Sequence, residues 1–167
     1  MDRVRIDREL RRDYQDEGIW KWFDNILGRG YLDDYELRFT RHSQDGGKAD
    51  IVQCPSRVTE GKLYNIPVQA VVDYLYIREG VQYGIYRPLV LPIRLENGEV
   101  IDALSYEVMD KESQELAPSD DYRKEILRGA RGNNPEETFL SEGYCQWLEN
   151  KIDLLKKQNN GGENKRA

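Results

Sequence analysis

The sequence is poor in the residue types that most metal and redox sites use. It has one histidine, His42, and two cysteines, Cys54 and Cys145, in unrelated segments. These residues supply no recognisable zinc-binding spacing, so we expect no metal site. A histidine-dependent catalytic triad would have to use His42 alone, and a lone histidine beside a polar, glycine-rich turn is more typical of a solvated side chain.

Long hydrophobic runs and an excess of basic charge are also missing. No apolar run approaches the roughly 20 residues that a membrane-spanning helix needs, and the charged N-terminal stretch has no apolar core of a secretory signal. The net charge of −6 argues against a nucleic-acid backbone as the main partner. We therefore expect a cytoplasmic protein with free thiols and with neither a membrane nor a nucleic-acid partner.

What the sequence does contain is enough apolar residues, in periodic segments, to fold. Its 167 residues predict one domain, residues 1–157, followed by a polar tail, residues 158–167, that we expect to be disordered. Apolar spacing predicts a charged helix over residues 2–15 and a second helix, rich in tryptophan, over residues 19–27. The sequence Gly28-Arg29-Gly30 is expected to end that second helix.

Alternation of apolar and polar residues predicts strands after this point. They are expected over residues 31–39, 50–54 and 61–66, with Ser43 to Lys48 as a loop and Pro55 ending the second strand. Pro67 can begin a helix. Four residues are expected on the buried face of that helix: Val68, Val71, Val72 and Leu75.

The rest of the chain predicts a hairpin and two helices. Asn97-Gly98 favours a hairpin turn between strands 89–95 and 100–109. Tyr106 shares a face with Leu104 and Val108, which suggests a hydroxyl directed to the interior. Ser119 is expected to cap one helix, and residues 132–135 to separate it from the last. The order predicts an α+β fold with a small, mainly antiparallel, β-barrel-like sheet and flanking helices.

Glu79 is the candidate catalytic residue. It is followed by Gly80 at the end of the central helix, and aromatic residues lie on both sides of this helix-to-strand turn. A lone acid in such a place could be a general base, but a solvated surface group has the same local pattern. In the same way, Tyr106 and Tyr122 could line a pocket or be core residues whose hydroxyls are satisfied.

Five segments of the sequence form a recognisable pattern: Tyr31 to Phe39, Gly46 to Val52, Glu79-Gly80-Val81 through Tyr86, Ala103 to Tyr106, and Pro118-Ser119 through Tyr122 to Ala130. In this order they resemble the γ-glutamylcyclotransferase superfamily, also called AIG2-like. Gly46-Gly47 is interpreted as a loop within this pattern and not as a phosphate cradle, because no helix start with Lys-Ser or Lys-Thr follows.

The resemblance implies an enzyme that cyclises a γ-glutamyl substrate to 5-oxoproline and releases an amine, amino acid or peptide. It implies Glu79 as the general base, and Tyr86, Tyr106 and Tyr122 as substrate-binding residues. It also implies that neither a metal nor an organic cofactor takes part. The identity of the leaving group stays open.

The N-terminus departs from the resemblance. Active members begin with a strand and a Tyr-Gly-Ser-Asn loop that holds the γ-glutamyl group, and this sequence has neither. We expect Met1 to correspond to the residue just after that loop, as in a truncated product or a misassigned start. Two alternatives therefore stand beside the enzyme: a catalytically inactive binding protein of the same fold, and an oligomerising role through Trp20 and Trp22.

Overall fold

The computed structural model describes residue 23, residues 25–132 and residues 140–163. Two long strands, β1 (Ile26–Ser43) and β2 (Gly46–Tyr64), come first. The central helix, α1, consists of an α-helical turn (Val68–Ala70), a π-helical turn (Val71–Leu75) and a further α-helical turn (Tyr76–Arg78). A 3₁₀ turn (Val81–Tyr83), strands β3 (Tyr86–Leu95) and β4 (Val100–Val108), and helices α2 (Asp120–Arg131) and α3 (Glu142–Glu163) follow.

The four strands form one antiparallel sheet in the order β2-β1-β3-β4. The β3–β4 hairpin at Asn97-Gly98 is confirmed, with pairing from Tyr86 opposite Val108 to Arg94 opposite Val100. β1 and β3 pair only at Gly30–Leu95 and Tyr31–Arg94. The α+β fold with a mainly antiparallel sheet is therefore confirmed, but the sheet formed by the described residues is open and not a closed barrel.

The β1–β2 ribbon is longer than the sequence indicated. Ile26 and Leu27, expected in a helix, lie in β1, and so does the Gly28-Arg29-Gly30 segment that was expected to end that helix. Pro55 does not end a strand, because β2 continues through it. The ladder shifts register at this point: Asp34 and Ser56 both have positive φ, and Ser56 N donates to Asp34 Oδ1 at 2.8 Å. A bulge therefore accommodates the proline, which cannot donate to the ladder.

Helix α1 begins after Pro67, as expected, but the prediction of its buried face was partly wrong. Val68 and Val72 are 77% and 51% exposed, whereas Ala70, Tyr74 and Leu75 are buried. Val72 lies within the π-helical turn, whose wider winding departs from the 3.6-residue period used for the prediction. Val68 lies before that turn, at the first residue of the helix. The helix ends at Glu79, as the sequence predicted.

Two hydrophobic clusters hold the described part of the chain together. The larger packs α2 and α3 against β1 through Phe39, Leu127, Ala130, Cys145, Leu148, Ile152 and Leu155. The smaller packs α1 against Phe23 and includes Ala70, Tyr74 and Leu75, with Tyr106 at its border. No helix within the described ranges is long and apolar enough to span a membrane.

The prediction for the C-terminal tail was partly wrong, and those for the N-terminal residues are not tested. Helix α3 continues to Glu163, so residues 158–163, predicted as part of a disordered tail, are helical. The predicted helix over residues 2–15, most of the predicted helix over residues 19–27 with Trp20 and Trp22, and residues 164–167 lie outside the described residues.

Candidate functional site

Glu79 sits in a tightly closed turn at the end of α1. Its backbone N–H donates to Leu75 O at 2.8 Å, and the next residue, Gly80, has φ +64°, a left-handed conformation that favours glycine. Ile85 N–H returns to Gly80 O at 3.1 Å, and a Cβ on Gly80 would lie 2.7 Å from Ile85 Cδ1. The turn therefore fixes the backbone position from which the Glu79 side chain extends, between α1 and β3.

The Glu79 carboxylate is mostly sheltered from solvent. Its side chain is 21% exposed, and its Oε1 accepts a bond from Arg78 Nη1 at 3.1 Å. The carboxylate also lies close enough to two tyrosines to affect their ionisation. Glu79 is therefore not a fully solvated surface group, and its role as a general base stays a prediction.

Tyr86 and Tyr106 are those two tyrosines. Burial raises the pKa of Tyr86, and the neighbouring Tyr122 and Glu79 raise it further. Burial likewise raises the pKa of Tyr106, followed by contributions from Tyr76 and Glu79. The charge of Glu79 therefore contributes to the raised pKa of both tyrosines.

Tyr122 is linked to Tyr86 through the backbone of Ala49. The Tyr86 hydroxyl donates to Ala49 O at 2.8 Å, and Ala49 N–H donates to the Tyr122 hydroxyl at 3.4 Å. The two tyrosines, from β3 and α2, therefore hold the same residue of β2 from both of its polar groups. Lys48 Nζ lies 4.6 Å from the centre of the Tyr122 ring, within cation–π distance.

Tyr106 differs from the other two because its hydroxyl oxygen is buried without a hydrogen-bond partner among the described residues. Its ring meets Tyr76 edge-on at 6.3 Å. The interior direction predicted for its hydroxyl is thereby confirmed. A buried hydroxyl with no partner costs free energy unless a ligand or water satisfies it, so it is a natural donor for a bound molecule.

The structure also shows a buried ionic cluster that the sequence did not reveal. Asp50 is completely buried at its side chain and is paired with Lys111 Nζ at 2.7 Å. Lys111 also approaches Glu107 at 3.4 Å, and Glu107 pairs with Arg87. The only local signal for this cluster was the carboxylate of Asp50 in a predicted strand. Its partner Lys111 lies about sixty positions further along the chain, and the periodicity of a sequence does not indicate such distant contacts.

Two adjoining cavities lie elsewhere, against α3, and include none of the four candidate residues. Their volumes are about 730 and 360 Å³, and they share Glu36, Gly143 and Trp147. Lys151 occupies this region itself, paired with Glu36 at 3.3 Å and Glu115 at 3.0 Å. Glu36, Glu115 and Lys151 of this groove are thus paired with one another.

The residues considered for metal or triad chemistry are not assembled into a site. His42 is exposed, with Nε2 3.0 Å from Gln114 O. Cys54 and Cys145 are both free thiols. The described residues contain no group of three or more histidine, cysteine or acidic side chains placed to hold a metal ion.

The raised pKa values of Tyr86 and Tyr106 predict loss of stability at high pH. In the unfolded chain these hydroxyls ionise near their ordinary value of 10.0, whereas in the folded protein they keep their protons to higher pH. The unfolded state therefore binds fewer protons above pH 10, and the free energy of unfolding falls as pH rises beyond that value. Urea unfolding between pH 8 and 11 should show a steeper fall in wild type than in Tyr86→Phe. If the free energy of unfolding fell equally with pH in both proteins, the raised pKa of Tyr86 would be contradicted.

Comparison with known proteins places these features in context. The sequence model of the AIG2-like family matches residues 58–148. YkqA of Bacillus subtilis (strain 168), provisionally named a gamma-glutamylcyclotransferase, is 36% identical over 144 residues, which are 86% of this chain and 49% of that protein. The gamma-glutamylcyclotransferase of Bos taurus is 30% identical over 108 residues, 61% of this chain and 56% of that protein.

The fold is shared as well. The crystal structure of Bacillus subtilis YkqA matches with a TM-score of 0.76 at 33% identity, covering 91% of this chain and 50% of that one. The chain thus spans about half the length of the curated relatives it matches.

Proposed function

Because the chain belongs to the AIG2-like family, we propose that it is a γ-glutamylcyclotransferase-type enzyme. It converts a γ-glutamyl substrate to 5-oxoproline and releases an amine, an amino acid or a peptide. Relatives that carry the gamma-glutamylcyclotransferase name support this class of reaction. The proposal assigns Glu79 as the general base, and Tyr86, Tyr106 and Tyr122 as the residues around the substrate.

The observation that carries the proposal is the sheltered Glu79 carboxylate, whose charge adds to the effect of burial in raising the pKa of both Tyr86 and Tyr106. A carboxylate that is partly removed from water can accept a proton from a bound ammonium group. The Arg78 contact to Oε1 fixes the carboxylate in place. These features support an acid–base role over that of a solvated helix end.

In the proposed reaction, Glu79 takes one proton from the α-ammonium of the substrate. The freed amine attacks the γ-carbonyl of the same molecule and forms the new C–N bond of a five-membered ring. The tetrahedral intermediate then collapses and the original γ-amide C–N bond breaks, while the protonated Glu79 gives its proton to the departing nitrogen. The ring nitrogen loses its second proton to the released amine, so the products are 5-oxoproline with one ring N–H and an ammonium group. Atoms and charges balance without an oxidant, a reductant or a water molecule.

The substrate brings both reacting groups, so the protein contributes chiefly position and charge stabilisation. An attack within one molecule avoids most of the entropic barrier of bringing two reactants together. The unsatisfied Tyr106 hydroxyl is the available donor for the oxygen of the tetrahedral intermediate or for the substrate carboxylate. The Tyr86 hydroxyl already donates to Ala49 O and serves as a wall of the site.

The test is release of 5-oxoproline from a panel of γ-glutamyl dipeptides and γ-glutamylamines, measured by mass spectrometry. N-acetyl-γ-glutamyl dipeptides are the matched control, because their blocked nitrogen cannot attack. We expect turnover of the free amines only. Ligand-induced thermal stabilisation without turnover would overturn the enzymatic proposal and favour the binding protein of the same fold.

A further inference from the structure

The buried carboxylate of Asp50 lies one residue from the backbone that two of the candidate tyrosines hold. Its side chain is fully removed from solvent. Three donors converge on it: Val108 N–H at 2.8 Å, Thr40 Oγ1 at 2.7 Å and Lys111 Nζ at 2.7 Å. These three hydrogen bonds hold the buried carboxylate of Asp50 in one orientation, because a rotation of the side chain would leave several buried polar groups without a partner.

The bond to Val108 joins strands that the sheet leaves apart. β2 and β4 are the two outer strands of the order β2-β1-β3-β4, so no backbone ladder connects them. The Asp50 carboxylate supplies the acceptor for an edge N–H of β4 and thereby fixes β2 against β4. The open sheet is therefore curved enough for its two outer strands to approach each other, and Asp50 lies where they do.

This contact forms one half of a double connection. Val108 is paired with Tyr86 across the β3–β4 hairpin. The Tyr86 hydroxyl returns to Ala49 O, and Ala49 is bonded covalently to Asp50. The hairpin is thus joined to two consecutive residues of β2, by its backbone at Val108 and by a hydroxyl at Tyr86. Releasing Val108 from Asp50 would also change the distance between Ala49 and Tyr86.

We propose that Asp50 is a positioning residue for the Glu79 site: through Val108 and Ala49 it sets the orientation of the Tyr86 and Tyr122 hydroxyls. The expected effect of Asp50 on turnover rests on the proposed function. The expected effect of Asp50 on the position of the Tyr86 hydroxyl does not, and it can be measured without any substrate.

The first measurement is spectroscopic. In protein labelled with ¹³C at the hydroxyl-bearing carbon of tyrosine, Tyr86→Phe identifies the Tyr86 signal among the eleven tyrosines. Asp50→Ala should shift this signal, and Asp50→Asn, which keeps an oxygen for Val108 N–H, should shift it less. If Asp50→Ala does not fold, Asp50→Asn decides the question alone. An unmoved Tyr86 signal in the folded variants overturns the proposal.

The second measurement is kinetic. Asp50→Ala should lower kcat by about 100-fold, the size expected when reacting groups are displaced by about 1 Å, with KM changed far less. Combining Asp50→Ala with Tyr86→Phe should add little to the loss caused by Tyr86→Phe alone, because both changes act through one contact. Fully additive losses would contradict action through Tyr86.

Glu60→Gln is the matched control. Glu60 is also a sheltered carboxylate of β2, but it receives Ser141 N–H at 2.7 Å and Ser141 Oγ at 2.6 Å and fastens the start of α3. Its loss should lower thermal stability without moving the Tyr86 signal or kcat. Absence of 5-oxoproline release by wild type would refute the proposed function, yet the Tyr86 signal would still decide the role of Asp50.

Discussion

Replacing Glu79 by glutamine is expected to lower kcat for 5-oxoproline release by about 10²–10⁴-fold, the usual contribution of a positioned general base. Glutamine keeps the shape of the side chain and can still accept the bond that Arg78 donates to Oε1. It cannot take the proton from the substrate ammonium. Substrate binding should therefore be largely retained, and thermal stabilisation by a γ-glutamyl dipeptide should persist.

The control for this change is Glu99→Gln. Glu99 lies at the tip of the β3–β4 hairpin and is exposed to solvent, so its charge is remote from the Tyr86 and Tyr106 hydroxyls. This variant should turn over substrate like wild type. Equal rates for Glu79→Gln and Glu99→Gln would remove Glu79 from the mechanism.

Replacing Gly47 by alanine is expected to produce the largest loss of stability. Gly47 is buried, its N–H donates to Ala117 O at 2.9 Å, and a Cβ would lie 1.9 Å from Leu116 O and 3.1 Å from Phe39 Cβ. Because the nearest atom, Leu116 O, belongs to the backbone, the whole segment before α2 would have to move to make room for the methyl group. We expect a loss of about 3 kcal/mol, or a melting temperature about 6–12 °C lower.

Gly61 provides the matched comparison in the same strand. A Cβ there meets nothing within 4 Å, and Gly61 has no positive φ. Gly61→Ala should change stability by less than about 1 kcal/mol. Thermal unfolding of Gly47→Ala and Gly61→Ala, measured side by side, tests whether the backbone of Leu116 lies against Gly47. Equal melting temperatures of the two variants would contradict this close packing.

The contact at Gly47 also corrects the interpretation of the glycine pair. Gly46-Gly47 was expected within a loop, but both residues begin β2, and the turn itself is at residues 44–45. Gly46 forms a bridge with Pro118, one residue before the cap of α2. The pair thus lets β2 and the start of α2 approach closely, which brings Ala49 and Tyr122 together.

Local signals were sufficient for the elements that carry the candidate site. Pro67 and Gly80 mark the two ends of α1, Asn97-Gly98 marks the hairpin, and Ser119 caps α2 by accepting Tyr122 N–H at 3.3 Å. Each of these signals depends on the backbone preference of one or two residue types, so it can be recognised from the sequence alone. The positions of Glu79, Tyr86 and Tyr122 in their elements follow from them.

Longer-range features could not be predicted in the same way. The π-helical turn in α1, in which Tyr74 and Leu75 are buried, has no signal in the local propensities. The bulge at Ser56 depends on Asp34 in the opposite strand. The double connection of Asp50 with Val108 and Ala49 with Tyr86 links residues far apart in the chain, and only the folded sheet brings them together.

The most direct test is a crystal structure of Glu79→Gln with a γ-glutamyl dipeptide. We predict the α-nitrogen of the substrate within hydrogen-bond distance, about 2.6–3.2 Å, of the residue 79 side chain, with the Tyr106 hydroxyl donating to a substrate oxygen. A dipeptide bound in the groove against α3, or bound with its α-nitrogen directed away from residue 79, would contradict the assignment of Glu79 as the base.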